Sequence, residues 1–167
     1  MQSMIRALQG KRFAMPNKIL IADDNAQIRF LIRSLVESAE FTVIGEAGDG
    51  KEVVEKARQL RPDLILLDLA MPIMNGAQAA AILKEQLPTI PVILFTLHAD
   101  KSLASHLRVA KVIGKPDGMT KLLDSIREVL GIPSPPVIGP LKIAAAAGIA
   151  RFHLAHSTSP SEDKPPE

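Results

Sequence analysis

The residues with chemistry to offer are the pair Asp23-Asp24 in "ILIADDN", Asp68 closing "DLILLD", Thr96 closing "PVILFT", and Lys115 in "GKP". Each stands at or just past the end of a short apolar run, where a buried strand comes to the surface. Three carboxylates gathered in one pocket repel, and each pushes its neighbours toward protonation unless a cation joins them. A hard divalent ion relieves that conflict. Mg²⁺ takes oxygen ligands in octahedral geometry and keeps waters or phosphate oxygens in its remaining positions, which suits a shallow acidic site. It also neutralises charge on an incoming phosphoryl group, so that one carboxylate can act as nucleophile and form an acyl phosphate. Lys115 would add a point charge beside the same oxygens, and the Thr96 hydroxyl would donate a hydrogen bond to them. Taken singly, each residue has a plainer reading: an Asp after a strand is commonly a cap or turn residue, a strand-end Thr is structural, and a Lys is solvated. Their succession along the chain points to one site.

For these residues to meet, the intervening segments must build a sheet whose strand ends share an edge. "KILIA" (18–22), "FTVIGEA" (41–47), "DLILLD" (63–68), "IPVILFT" (90–96) and a short run near 110–113 read as strands, several of them continuously apolar as strands covered on both faces are. Between them lie helical patterns. Ile28, Leu31, Ile32, Leu35 and Val36 form the first face, and Val53, Val54, Ala57 and Leu60 the second, closed by Pro62. "GAQAAAILKEQL" is the third, a weaker stretch over about 99–107 the fourth, and Met119, Leu122, Leu123, Ile126, Val129 and Leu130 the fifth, stopped by Gly131. Five strands alternating with five helices imply an α/β fold, a parallel sheet with right-handed crossovers and helices on both faces. Hydrophobic periodicity carries no strand order, so the order 2-1-3-4-5 enters as an assumption. It would set strands 1 and 3 side by side at the reversal beyond whose carboxyl ends ligands bind.

Composition bounds the function. At 47% hydrophobic and 23% charged, the 167-residue chain has the balance of a globular protein. Residues 1–14 carry Arg6, Lys11 and Arg12 with no acid, whereas residues 15–131 hold fourteen Lys or Arg against fifteen Asp or Glu, so the domain is not a basic nucleic-acid binder. There is no Trp or Tyr to stack on bases, no Cys for a disulfide, thiolate metal site or nucleophile, and no apolar run approaching a membrane span. No direct contact with nucleic acid or membrane is expected, and the cytoplasm is the expected location. The expected organisation is a flexible basic extension over 1–15, one domain over 16–131, a Pro-rich linker over 132–140, and a short helical segment and disordered tail over 141–167.

"ILIADDN", "LILLDLAMPIMNG", "PVILFT" and "GKP", in this order and at these separations, resemble the receiver domain of bacterial two-component response regulators over about residues 16–131. The resemblance implies a flavodoxin-like, doubly wound five-stranded sheet. It also implies that Asp68 is the phosphoacceptor and that Asp23 and Asp24 support Mg²⁺, Asp23 through water. The carbonyl of Ala70 would be a further metal ligand, Thr96 the switch hydroxyl and Lys115 the residue that pairs with the phosphoryl group. Met71, Pro72 and Gly76 match as well, and Lys115-Pro116 would be cis. The donor would be a sensor histidine kinase or a phosphotransfer protein, with small acyl phosphates as substitutes. The expected function is that of a single-domain response regulator that catalyses its own phosphorylation and slow dephosphorylation, and switches a surface near the fourth helix and fifth strand for an output partner. A homodimer is left open.

Two positions depart from the pattern. Val112 stands where the family carries a switch aromatic, and Leu97 where it carries Ala or Gly, so its bulk is expected to narrow access to the phosphoacceptor. His98 reads as a solvated loop residue, and with His106, His153 and His156 it shows no metal-ligand arrangement. Two other functions compete: an interaction module that no longer switches, and a metal-dependent phosphatase with Asp68 as nucleophile. The phosphatase commonly needs a second acid close to the nucleophile, and "LAMP" supplies none.

Overall fold

The computed structural model describes residues 17–134, except residues 98, 101, 116 and 117 and the side chain of Thr120. The segments expected at 1–15 and 141–167, most of the linker, His98 and the Lys115-Pro116 peptide bond lie outside the described residues.

Ten elements alternate: β1 (Lys18–Ala22), α1 (Ala26–Ser38), β2 (Thr42–Ala47), α2 (Gly50–Leu60), β3 (Leu64–Leu67), α3 (Gly76–Gln86), β4 (Val92–Thr96), α4 (Ser102–Leu107), β5 (Lys111–Gly114) and α5 (Gly118–Leu130). The strands form one parallel sheet in the order β2-β1-β3-β4-β5. This is the assumed order, with β1 and β3 adjacent at the reversal.

The continuous apolar runs follow from burial on two faces. Along β1, Ile19 and Ile21 join Ile32, Val36, Leu64, Leu66, Ile93, Phe95, Leu122 and Ile126 in the core under α1 and α5. Leu20 and Ala22 point the other way, into the core with Val54, Ala57, Ile65, Leu67, Ala80, Leu83 and Leu94 under α2 and α3. All four residues of β3 and all five of β4 are buried. Each fully buried aliphatic side chain contributes about 1.5–3 kcal/mol, so the middle of the sheet is the part of the chain least free to move.

Helix starts are set by side chains. Asn25 Oδ1 accepts from the Gln27 and Ile28 amides, Asp49 accepts from Glu52 N, and Asn75 with Gln78 forms a reciprocal capping box. The α1 stripe is narrower than its spacing suggests: Ile32 and Val36 are buried, while Leu31 is 52% exposed beside Phe30 at 67%. α4 is shorter than the expected 99–107, and β5 starts one residue later than expected.

Candidate functional site

The sheet delivers the acids by extending its ladder one residue past each strand. Asp23 N donates to Ala47 O at 3.1 Å, and Asp68 N donates to Ala22 O at 2.8 Å. Both backbones are thereby pinned while their side chains leave the sheet. Asp23 and Asp68 are buried, Asp24 is exposed, and one carboxylate oxygen from each lies within 4.8 Å of the others. Thr96 is buried at the end of β4, in register with Gly114, and Lys115 follows Gly114 directly. Lys115 Nζ reaches 2.7 Å from Asp23 Oδ2 and 3.1 Å from Asp68 Oδ2.

Two buried carboxylates share this one ammonium, which reaches one oxygen of each and leaves Asp68 Oδ1 without a partner. Asp23 Oδ1 accepts from Asn25 N at 2.9 Å. Asp68 Oδ1 has no hydrogen-bond donor, whereas Asp23 Oδ2 is held by its ion pair with Lys115. Desolvation therefore raises the pKa of Asp68 above its ordinary 3.8; Lys115 opposes the rise and Asp23 adds to it. Burial alone would depress Lys115, but Asp23 and Asp68 outweigh it and hold its ammonium charged above the usual lysine range. Two buried carboxylates, one with an oxygen that has no donor, beside a third exposed acid are the hard donor set that a divalent cation takes up.

The loop after Asp68 is braced from both ends. Gly76 N donates to Leu69 O at 2.9 Å, and Gly50 N at the start of α2 donates to Met74 O at 2.9 Å. A Cβ on Gly76 would sit 2.0 Å from the carbonyl oxygen of Asp68. Close approach, and not an unusual dihedral, is thus what requires glycine there. Between these braces Met74 N closes a tight turn on Pro72 O at 2.6 Å, with Ile73 at φ 65°. A β-branched residue at positive φ is a genuine outlier. Its side chain is 83% exposed. Ala70 lies in this loop, exposed, two residues beyond Asp68.

The structure thus brings Asp23, Asp24, Asp68 and Lys115 into contact range and sets Thr96 beside them on the same sheet edge. Leu97 is 63% exposed, and Val112 is half-buried against the core on the α3 side. His106 on α4 is exposed, with Nδ1 2.8 Å from Ser102 O. Sequence reasoning missed Arg29 and Glu46, whose side chains meet behind the acidic loop at 3.1 Å. Their spacing of seventeen residues across two elements matches no local pattern.

The family model of the response regulator receiver domain matches residues 19–127, a span that contains all of these residues. The chain belongs to that family. Among curated relatives, this receiver is 40% identical over 87 residues to the response regulator protein VraR of Staphylococcus saprophyticus, a match covering 52% of the chain and 42% of VraR. It is 32% identical over 117 residues to the protein CcdB of Bacillus subtilis, covering 68% of the chain and 98% of that protein. Among solved structures, a chain of the CheX–CheY–BeF3–Mg²⁺ complex from Borrelia burgdorferi superposes with a TM-score of 0.67 at 25% identity, over 70% of this receiver and 91% of that chain. The receiver therefore spans less than half of VraR and nearly all of CcdB. Among its described residues no helix is long and apolar enough to cross a membrane.

Proposed function

We propose that this receiver takes a phosphoryl group on Asp68 from a phosphohistidine of a sensor histidine kinase or a phosphotransfer protein, and presents the changed state to an output partner. The observation that carries this reading is the buried Asp68 carboxylate, with one oxygen lacking any donor, within 4.8 Å of two further acids and with its other oxygen 3.1 Å from an ammonium. Asp23, Asp24, Asp68 and the Ala70 carbonyl would hold Mg²⁺, which when bound supplies positive charge to the phosphoryl oxygens. The similar Borrelia burgdorferi complex, a CheX–CheY assembly with BeF3 and Mg²⁺, supports that assignment.

In this reading an Asp68 oxygen forms the new P–O bond as the P–N bond to the donor imidazole breaks, and the electron pair of that bond returns to the ring. Burial keeps bulk water away from the carboxylate. The Lys115 ammonium, held charged by Asp23 and Asp68, moves its interaction from the carboxylate to the phosphoryl oxygens. The Thr96 hydroxyl turns toward the same oxygens and donates to them. The partner would read the surface of α4, β5 and α5; beside β5 and α5 a cavity of about 380 Å³ is lined by Ala99, Val112, Ile113 and Ser125, among others.

Incubation with Mg²⁺ and acetyl phosphate tests the reading. The expected result is a mass increase of one phosphoryl group, lost in Asp68→Asn and blocked by beryllium fluoride; no Asp68-dependent adduct would overturn it. Val112 has no ring to swing, which favours a second reading in which the module binds partners without switching. That reading expects no change in the amide spectrum of α4 and β5 on beryllium fluoride addition.

A further inference from the structure

We propose that Arg29 is the positioning residue of the cation site, holding the acidic loop in place through the backbone carbonyls of Asp23 and Asp24 while Glu46 anchors its guanidinium. The inference rests on the Mg²⁺ reading above and concerns residues that touch neither the metal nor the phosphoryl group.

Arg29 lies one turn into α1, so its side chain reaches back across the helix start to the loop that carries the acids. Nη1 donates to the carbonyl of Asp23 at 2.7 Å and lies 3.4 Å from that of Asp24. Nε donates to Glu46 Oε2 at 3.1 Å. One planar group thus ties the acidic loop to β2, a bridge that a single lysine ammonium on a flexible stem cannot reproduce. The guanidinium meets carbonyls and Glu46 and leaves the acidic carboxylates free for a cation.

The anchor is itself rigid. Glu46 also accepts from Arg33 Nε at 2.6 Å, and although burial favours its neutral form, Arg33 and Arg29 outweigh that and keep the carboxyl ionised below the ordinary range. Lys56 Nζ donates to the backbone carbonyl of Glu46 and, at 2.7 Å, to Glu52, whose other oxygen accepts from Gly48 N at 2.6 Å. The loop beyond β2 is therefore held by contacts that do not involve Arg29. Position matters here because Mg²⁺ demands near-ideal octahedral oxygens, and Asp24 is exposed, with only its backbone to hold its carboxylate in place.

Arg33 supplies the control, because it pairs with the same carboxylate and has no hydrogen bond to the acidic loop. Calorimetric titration of the full chain with Mg²⁺ alone would compare the unmodified protein, Arg29→Met, Arg29→Lys and Arg33→Met, with urea denaturation in EDTA reporting stability separately. The expected result is a loss of Mg²⁺ affinity of about tenfold or more in Arg29→Met, from the general cost of removing groups that orient metal ligands. Arg29→Lys recovers little of it, and Arg33→Met, which loosens the Glu46 anchor but leaves the Arg29 bonds to the loop carbonyls in place, loses clearly less than Arg29→Met. The half-saturating Mg²⁺ for phosphorylation by acetyl phosphate rises in Arg29→Met, while the rate at saturating Mg²⁺ returns to that of the unmodified chain. Unchanged affinity in Arg29→Met, or an equal loss in Arg33→Met, would overturn the positioning role; should Arg29→Met fail to fold, Arg29→Lys against Arg33→Met decides the matter. If the unmodified chain takes up no Mg²⁺, the metal reading itself falls, a result distinct from either.

Discussion

Replacing Asp68 with Asn removes a charge that the metal-free fold holds at a cost. The side chain is 5% exposed, one oxygen has no donor, and the ammonium beside it is shared with Asp23. An unsatisfied buried acceptor costs about 1–3 kcal/mol, more when charged. Asn removes the charge and leaves the Lys115–Asp23 pair intact, so Asp68→Asn is expected to be more stable than the unmodified chain in EDTA at pH 7 by about 1–2 kcal/mol. In a domain of this size that is a rise of roughly 4–8 °C in Tm. With no Trp or Tyr in the chain, far-UV circular dichroism during urea or thermal unfolding is the assay. The pH dependence has a definite sign. Because the folded-state pKa of Asp68 is raised, the native state holds the proton more tightly than the unfolded chain does. That contribution to stability is complete below 3.8, the ordinary Asp value, and is lost as pH rises through the raised folded value, so the advantage of Asp68→Asn grows over the same range and closes below it. Saturating Mg²⁺ reverses the order. The unmodified chain gains about 2.7 kcal/mol at one hundred times Kd, and the variant, one carboxylate short, gains less. A variant that is less stable than the unmodified chain in EDTA at neutral pH would refute the reasoning.

Lys115→Met strands Asp23 and Asp68 without a counter-ion, and a loss of about 3–5 kcal/mol in EDTA is expected by urea denaturation, with part of it restored by Mg²⁺. Gly76→Ala drives a methyl group to within 2.0 Å of the Asp68 carbonyl oxygen, and since neither backbone can yield, a cost of about 3 kcal/mol is expected on the same measurement. Ile73→Gly should raise stability by about 1 kcal/mol, because it relieves a β-branched residue at φ 65° whose side chain is 83% exposed; a thermal melt below that of the unmodified chain would count against the strain.

The number and alternation of the elements were legible because a parallel sheet covered on both faces demands unbroken apolar runs, and β3 and β4 are buried at every position. The helix stripes were legible to within their edges: α5 packs Leu122 and Ile126 inward as its spacing requires, whereas Leu31, at an equally apolar position of α1, faces out because the core beneath α1 closes over the stripe of Ile32 and Val36. The acids could be picked out one by one, each closing a run, but their convergence could not. It depends on β1 lying beside β3, and strand order is set by packing between segments far apart in the chain, which periodicity along the chain does not record. For the same reason the grip of Arg29 on the acidic loop, the contact between Gly76 and the Asp68 carbonyl, and the strained turn at Ile73 belong to the tertiary structure alone. The amino-acid sequence determined which residues are buried in strands and which carboxylates emerge at their ends; the fold decided that those carboxylates share one pocket, with too few donors to satisfy them.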